Sequence, residues 1–505
     1  MKKIVYYFII LCLSCQWFAY TQYKENTNIE VAKIFQSGMV IQQNETICVW
    51  GKGEPFHEII ASLGKEKTKT IVDETGHWKV YFKKRKASYN ALILRINNLV
   101  FSDILIGEVW LCSGQSNMVR NLGEAIGGMQ EFDNSNKDYI RLLRLDHPRL
   151  VAKNGYTVKE LNRSNTNDFF EGSWSNLSYV EASKFSAVGF QFGNQLNKAL
   201  NVPIGLIQCA VGGSAINNWI PPEALKASIL TSTLFEKDWF TNEDVDRGHR
   251  MRGLDAFQNI YVNNTPFFPG EFKYRWMCEP GFLFEAGIEY LSNFKFKGVL
   301  WYQGETDAIT SNSVNRYKTL FPMMVEGWRK NFNNNDLPFF TVQLPRFSKN
   351  TWPEFRNNQR LLAESIPNCY MSTSIDLGLE DDIHPKDKIP IGNRVSKIAL
   401  KHIYNLNIKD VDFKVKKLSK KKGGLYLKLT NSMNQINLYP GFELGDNQKG
   451  FRSVVPEKIN AKTLKFTINS DDKIIRYAWA AYPKPDVKLF NSQQIPLGPF
   501  EIEIK

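Results

Sequence analysis

The stretch Gly107-Glu108-Val109-Trp110-Leu111-Cys112-Ser113-Gly114-Gln115-Ser116-Asn117-Met118 decides how the chain is read. Ile104 to Ile106 and Val109 to Cys112 form a nearly unbroken apolar run, the pattern of a strand covered on both faces. The run breaks into a small polar turn, Ser113 to Asn117. Ligands of open α/β sheets sit at the carboxyl ends of strands, so a serine there is placed to be a nucleophile. The plainer alternative is that Ser116 caps a helix starting near Asn117. A Gly-x-Ser-x-Gly elbow would indicate the α/β-hydrolase fold, but Met118 stands where its second glycine would be.

Working outward, residues 30 to 103 read as all-β. Short alternating runs recur at Met39 to Gln42, Thr46 to Trp50, Glu58 to Leu63, Thr68 to Val72, His77 to Phe82 and Ala91 to Ile96, separated by turn signals. From 104 to about 405 the pattern alternates strand and helix. Phe185 to Leu200 carries helical periodicity, Ile204 to Val211 and Gly298 to Tyr302 read as strands, and Asn315 to Asn331 reads as a helix. Phe339 to Leu344 and Tyr370 to Ile375 are further strands, and Pro385 is expected to open a helix that runs on to Tyr404. Residues 406 to 505 return to β. The expected division is a leader over 1–22, a sandwich-like β module over 23–103, a catalytic α/β domain over 104–405 and a β-rich module over 406–505.

Four polar turns follow apolar strands: Gly114 to Asn117, Gly212-Gly213-Ser214, Gln303-Gly304-Glu305 and Asp381-Asp382-Ile383-His384-Pro385. In a doubly wound sheet they converge on one edge. Acyl transfer needs a nucleophile, a base, an orienting group and an oxyanion hole. Of six histidines, only His384 combines carboxylates at short range with a strand before it; His402 has no acid beside it in sequence. A serine at its free pKa is a weak nucleophile and needs such an imidazole to take its proton. Asp381, three residues before His384, has the spacing to reach Nδ1, with Asp382 as the rival. Gly213 lets a backbone N–H approach an oxyanion, and Gln303 carries an amide able to do the same. Asn117, Glu305 and Trp219 are candidate substrate contacts. For Glu305, bracing the turn is the stronger reading, because no positive partner is identifiable. Trp219, Trp301 and Tyr302 are as readily core residues as sugar-stacking ones.

These motifs resemble one family. Val109 to Met118, Gly205 to Trp219, Leu300-Trp301-Tyr302-Gln303-Gly304-Glu305-Thr306 and Asp382-Ile383-His384-Pro385 are similar to the sialate O-acetylesterases within the SGNH hydrolases. Ile34 to Gln43 and Val49-Trp50-Gly51 are similar to that family's N-terminal β domain. The resemblance implies a flavodoxin-like α/β/α catalytic domain that uses no metal or cofactor. It implies Ser116 as nucleophile, His384 as base, and the Ser116 N–H, Gly213 and Gln303 as the oxyanion hole. The implied reaction is hydrolysis of O-acetyl esters on a sugar, sialic acid foremost. The alternatives are another acetylated glycan such as xylan, or a silent carbohydrate-binding relative.

Composition bounds the rest. Met1-Lys2-Lys3 followed by Ile4 to Leu13 reads as a secretory signal, with Cys15 a weak match to a lipoprotein cysteine. The expectation is an exported, periplasmic or extracellular protein without a membrane span. Formal net charge is +13, and loss of the leader's two lysines lowers it to about +11. The excess is spread out, apart from Lys414 to Lys422, which is expected to be a solvated loop. No basic face with aromatic partners suggests nucleic-acid binding. Cys48, Cys112, Cys209, Cys278 and Cys369 show no metal-ligand spacing and demand no disulfide. The sequence does not set the oligomeric state.

Overall fold

The computed structural model describes residues 29–150, 156–239, 241–257, 261–262, 265–266, 275–435, 438–484 and 487–505. The expected leader, Cys15 and much of the 258–274 stretch lie outside them. The fold is mixed α/β, and it is built on the strand that carries the opening motif. This strand, β1, runs over Leu99–Gly114. Its first half belongs to the β region: Val40–Gln42 pairs with Leu105 to Gly107 in parallel, and Ser88–Ile96 pairs antiparallel with Leu99 to Ile106. Its second half is the centre of a parallel sheet. The expected boundary at 103/104 therefore falls inside one continuous strand, at Asp103, whose φ of 54° bends the chain there.

The parallel sheet contains β2 (Ile140–Arg144), β3 (Trp174–Asn176), β4 (Ile204–Ala210), β5 (Gly298–Tyr302), β6 (Phe339–Val342) and β7 (Cys369–Ser372). The spatial order is β3-β2-β4-β1-β5-β6-β7, and edge strand β3 alone runs antiparallel. The chain builds outward from β1 on the β4 side, then crosses to the β5 side. Such a reversal opens a crevice at the carboxyl ends of the two neighbouring strands. Register makes this concrete: Ala210 of β4 and Tyr302 of β5 both pair with Gly114, the last residue of β1. The polar turns after three strands thus leave the sheet at one level.

Helices cover both faces. They are α1 (Ala187–Leu200), α2 (Ser311–Asn331), α3 (Trp352–Ser365) and α4 (Ile389–His402). Trp110 packs edge-on against Phe192 of α1, while Trp301 packs against Trp328 of α2. Trp301 pairs with Ser113, three residues from Trp110, so alternation puts the two tryptophans on opposite faces. Ser186 caps α1 by accepting from the Gly189 N–H at 3.1 Å, which satisfies one of the first-turn amides. A Cβ on Gly392 of α4 would lie 2.7 Å from the Gln191 Cβ, so that glycine is what lets α4 approach α1 so closely.

The N-terminal strands match the alternation read from sequence to within a few residues. Among the described residues after 409, two four-stranded antiparallel sheets form. Lys414 to Lys422 is not a loop: Val415–Lys421 is a strand that turns at Gly423 into Gly424–Leu429, its lysines solvated along an outer strand. Helix α4 begins at Ile389, with Pro390 in its first turn; Pro385 lies in the preceding loop instead. Among the described residues no helix is long and apolar enough to cross a membrane, and the five cysteines are free thiols.

Candidate active site

Ser116 is the first residue of a single helical turn, Ser116–Val119, directly after β1. Gln115 fixes the turn. Its N–H donates to the Tyr302 carbonyl at 3.0 Å, and its side-chain oxygen accepts from the Gly304 and Thr306 amides. The Ser116 turn is thereby tied to the Gln303–Glu305 turn. On the other side a Cβ at Gly212 would lie 3.7 Å from the Ser116 Cβ. The fourth turn closes the group, with His384 Nε2 at 2.9 Å from Ser116 Oγ. The four turns expected to converge do so.

Two backbone amides beside this pair are unspent. Neither the Ser116 N–H nor the Gly213 N–H has a hydrogen-bond acceptor among the described residues. Both residues are half-buried, and two free N–H groups beside a serine–histidine contact are able to hold developing negative charge. Gly213 reaches its position through a left-handed φ of 73°. Its carbonyl is pinned from behind by His249 Nε2 at 3.1 Å and Arg252 Nη1 at 2.9 Å. A carbonyl only accepts, so His249 carries its proton on Nε2. Burial lowers the His249 pKa, which favours the neutral ring. Sequence reasoning passed over His249 and Arg252, because the segment from 223 to 280 has no readable periodicity.

Gln303 is fully buried, but its amide is engaged. Nε2 donates to Asp307 Oδ2 at 2.5 Å and to the Ser214 carbonyl at 3.2 Å. Asp307 also accepts from the Ile216 N–H, and burial pushes its carboxyl up to about 7. Trp219 is not a sugar platform. It is 0 % exposed, donates Nε1 to Ser214 Oγ and packs edge-on against Trp301. Its indole braces the Gly212–Ser214 turn from the core.

The acidic neighbour of His384 is the second aspartate, not the first. Asp382 Oδ1 lies 3.8 Å from Nδ1 and accepts the backbone N–H of His384 at 2.8 Å. Asp381 is exposed and makes no ion pair or side-chain hydrogen bond among the described residues. The reason is local. A carboxylate two residues back closes a tight side-chain-to-backbone turn onto the histidine's own amide, and this turns residue 381 outward. Burial pulls the His384 pKa below its ordinary value, aided by the positive charges of Arg120 and Lys388 and opposed by Asp382. The carboxylate's upward pull is outweighed.

Asn117 and Glu305 do not line open space. Asn117 Nδ2 donates to Glu305 Oε1 and, at 3.0 Å, to the Ile383 carbonyl, and its Oδ1 accepts from Lys388 Nζ. Lys388 is the positive partner of Glu305 that sequence reasoning did not find. It lies 83 positions further along the chain, in the loop before α4. His402 likewise has an acid, with Asp412 Oδ1 at 2.9 Å from its Nε2. That pair stacks on Tyr370 of β7, apart from the Ser116 turn.

Comparison with known proteins places the chain among carbohydrate esterases. The family model described as carbohydrate esterase, sialic acid-specific acetylesterase, matches residues 106–237 and 267–401, more than half of the chain. The chain is 26% identical to the sialate O-acetylesterase of Mus musculus, across 94% of each chain. It is 26% identical to that of Homo sapiens, over 72% of this chain and 69% of the human one. In three dimensions it is similar to a carbohydrate acetylesterase from Xanthomonas citri, with a TM-score of 0.73 and 24% identity, covering 94% of this chain and 99% of the other. On the strength of the family-model match, which contains all four turns of the site, the chain belongs to the carbohydrate esterase family of sialic acid-specific acetylesterases.

Proposed function

We propose that this chain hydrolyses O-acetyl esters on sugars through an acetyl-Ser116 intermediate, with O-acetylated sialic acid as its main substrate. The single observation that carries the mechanism is the 2.9 Å contact between His384 Nε2 and Ser116 Oγ beside two unspent amides. Neutral His384 takes the Ser116 proton as Oγ attacks the acetyl carbonyl. The carbonyl oxygen becomes an oxyanion held by the Ser116 and Gly213 N–H groups. Gln303 joins them by turning the N–H of its longer bond, the 3.2 Å contact to the Ser214 carbonyl, to donate a hydrogen bond to the oxyanion. His384 then protonates the departing sugar oxygen. Water, deprotonated by the same imidazole, attacks the acetyl-enzyme and releases acetate. Asp382 steadies the imidazolium that forms at each step.

The charge around the site supports an acidic sugar. Arg252 is exposed, anchored on the Gly213 carbonyl, and has no carboxylate within ion-pair distance among the described residues. A sialic acid brings one carboxylate, which a guanidinium accepts with two parallel hydrogen bonds; xylan brings none. The strand order, with β4 and β5 flanking β1, supports the flavodoxin-like SGNH class. The division at 22, 103 and 405, with the second boundary lying within β1 where that strand passes from one sheet to the other, and export through the 1–22 leader, complete the reading. Acetate release from O-acetylated sialic acid and from acetyl-xylan, measured side by side, tests it. Faster turnover of the sialic acid is expected. Equal or faster turnover of the xylan would overturn the substrate, and no release from either would overturn the activity.

A further inference from the structure

The His384 ring is not locked by a carboxylate. At 3.8 Å, Asp382 is too far from Nδ1 for a hydrogen bond, and it holds the backbone of His384 instead. The other side of the preceding residue is held by Asn117, whose Nδ2 donates to the Ile383 carbonyl. Asn117 directly follows Ser116, so this bond ties the nucleophile's turn to the base's loop. Its geometry depends on which way the Asn117 amide faces. Lys388 donates to the amide oxygen and Glu305 accepts from the amide nitrogen. A flipped amide would set its oxygen against the Glu305 carboxylate and the Ile383 carbonyl, and its N–H2 against an ammonium. Cation and anion together allow one orientation. Asn117, Lys388 and Glu305 are all buried, and Lys388 also lies over the Tyr302 ring, 5.2 Å from its centroid. Neither charged group contacts Ser116 or His384.

We infer that Lys388 is a positioning residue: the Lys388–Asn117–Glu305 relay fixes the Ile383 carbonyl and thereby holds His384 Nε2 on Ser116 Oγ. The inference rests on the serine-esterase reading of the site. Burial disfavours both charges, lowering Lys388 to about 7 and raising Glu305 to about 7, so each charge depends on the other. Asp382 and Asp387 add to the field that supports the ammonium, and Arg120 opposes it. His384 faces Arg120, Lys388 and Asp382.

The test uses the full chain and compares Lys388→Met, Glu305→Gln and the double variant by three readouts. These are steady-state hydrolysis of 4-nitrophenyl acetate, labelling of Ser116 by a fluorophosphonate, and thermal melting. Misplacing a reacting group by an ångström costs up to about 100-fold. Lys388→Met is therefore expected to lower kcat and the labelling rate by about 10- to 100-fold, with KM within about twofold. Loss of the positive charge should also move the acid limb of kcat/KM to higher pH, because His384 no longer feels that repulsion. The double variant should fall within about threefold of Lys388→Met, since residues acting as one unit are not additive. Lys388→Gln is read in the same way should Lys388→Met fail to fold. Labelling and kcat within threefold of wild type would overturn the relay, as would a loss that only tracks melting temperature with the acid limb unmoved. Wild-type enzyme that resists the fluorophosphonate would overturn the esterase reading instead.

Discussion

The two aspartates before His384 separate a reading by spacing from a reading by geometry. Asp382→Ala removes two things: a charge 3.8 Å from Nδ1, and the acceptor for the His384 N–H. Two unit charges about 4 Å apart interact by about 1 kcal/mol in water and by several times more in a protein interior. The side chains of Asp382 and His384 are 41% and 25% exposed, so the value near 1 applies, about fivefold in rate. A hydrogen bond to a charged group contributes about 1.5–3 kcal/mol, and exposure again favours the lower end. Asp382→Ala should therefore lower kcat/KM by roughly 50- to 100-fold. Asp382→Asn keeps an oxygen for the backbone N–H and should lose only about fivefold. Asp381→Asn should stay within about twofold, because its side chain has no partner to lose among the described residues. The pH axis carries a sign as well. Asp382 raises the His384 pKa, and the neutral ring is the active base, so Asp382→Asn should move the acid limb to lower pH. Steady-state kinetics of the three variants on one acetyl ester from pH 4.5 to 8.5 decide the matter. The reasoning is refuted if Asp381→Asn is the more damaging change, or if the acid limb of Asp382→Asn moves upward.

Ser116→Ala should remove several powers of ten in kcat while leaving the melting temperature within a degree or two, because among the described residues Oγ hydrogen-bonds only to the imidazole; residual activity above a tenth of wild type would contradict it. The wild-type kcat/KM should rise through a pKa below the ordinary histidine value of 6.5, since burial, Arg120 and Lys388 outweigh Asp382, and then stay flat to pH 8; a midpoint above 7 would contradict that balance. Gly213→Ala should lower kcat by about 100-fold or more with little change in KM: a left-handed φ of 73° strains any side chain there, and the added Cβ, 2.6 Å from Arg252 Nη1, displaces the guanidinium that pins the turn and its amide. A Gly213→Ala enzyme with normal kcat would remove this amide from the oxyanion site.

What the sequence made legible follows from the range of the forces involved. Apolar strands β4 and β5 and helix α1 were read almost to the residue, because burial on a regular element imposes a period. The Ser116, Gly213, Gln303 and His384 turns were found because each interrupts such a period with small polar residues. Helix α3 and strand β2 went unread. In α3, Arg356, Asn357, Asn358 and Gln359 are buried polar residues that mask the apolar stripe. The carboxylate register failed for a different reason. Asp381 and Asp382 are adjacent, identical side chains, and which one meets the histidine depends on a turn formed by side-chain-to-backbone bonding, to which periodicity is blind. Lys388, His249 and Arg252 were missed because their partners are distant in sequence.

That last group shows how the site is assembled. Each turn at the edge of β1 is short, and short turns at strand ends cannot fix their own side chains. Here each is fixed by a neighbour: Gln115 binds the Gly304 and Thr306 amides, Trp219 braces Ser214, and His249 with Arg252 pins Gly213. Asn117 in turn clasps the loop of His384. Ser116 and His384 therefore inherit their positions from contacts between turns rather than from any one strand. Once β4, β1 and β5 end in register at Ala210, Gly114 and Tyr302, those contacts lie within reach of ordinary side chains. A one-residue slip of β5 against β1 would turn Tyr302 to the other face and withdraw Gln303 and Glu305 together. Fully buried Trp110 and Trp301 make such a slip costly. The packing of the sheet thus guards the alignment on which the chemistry depends.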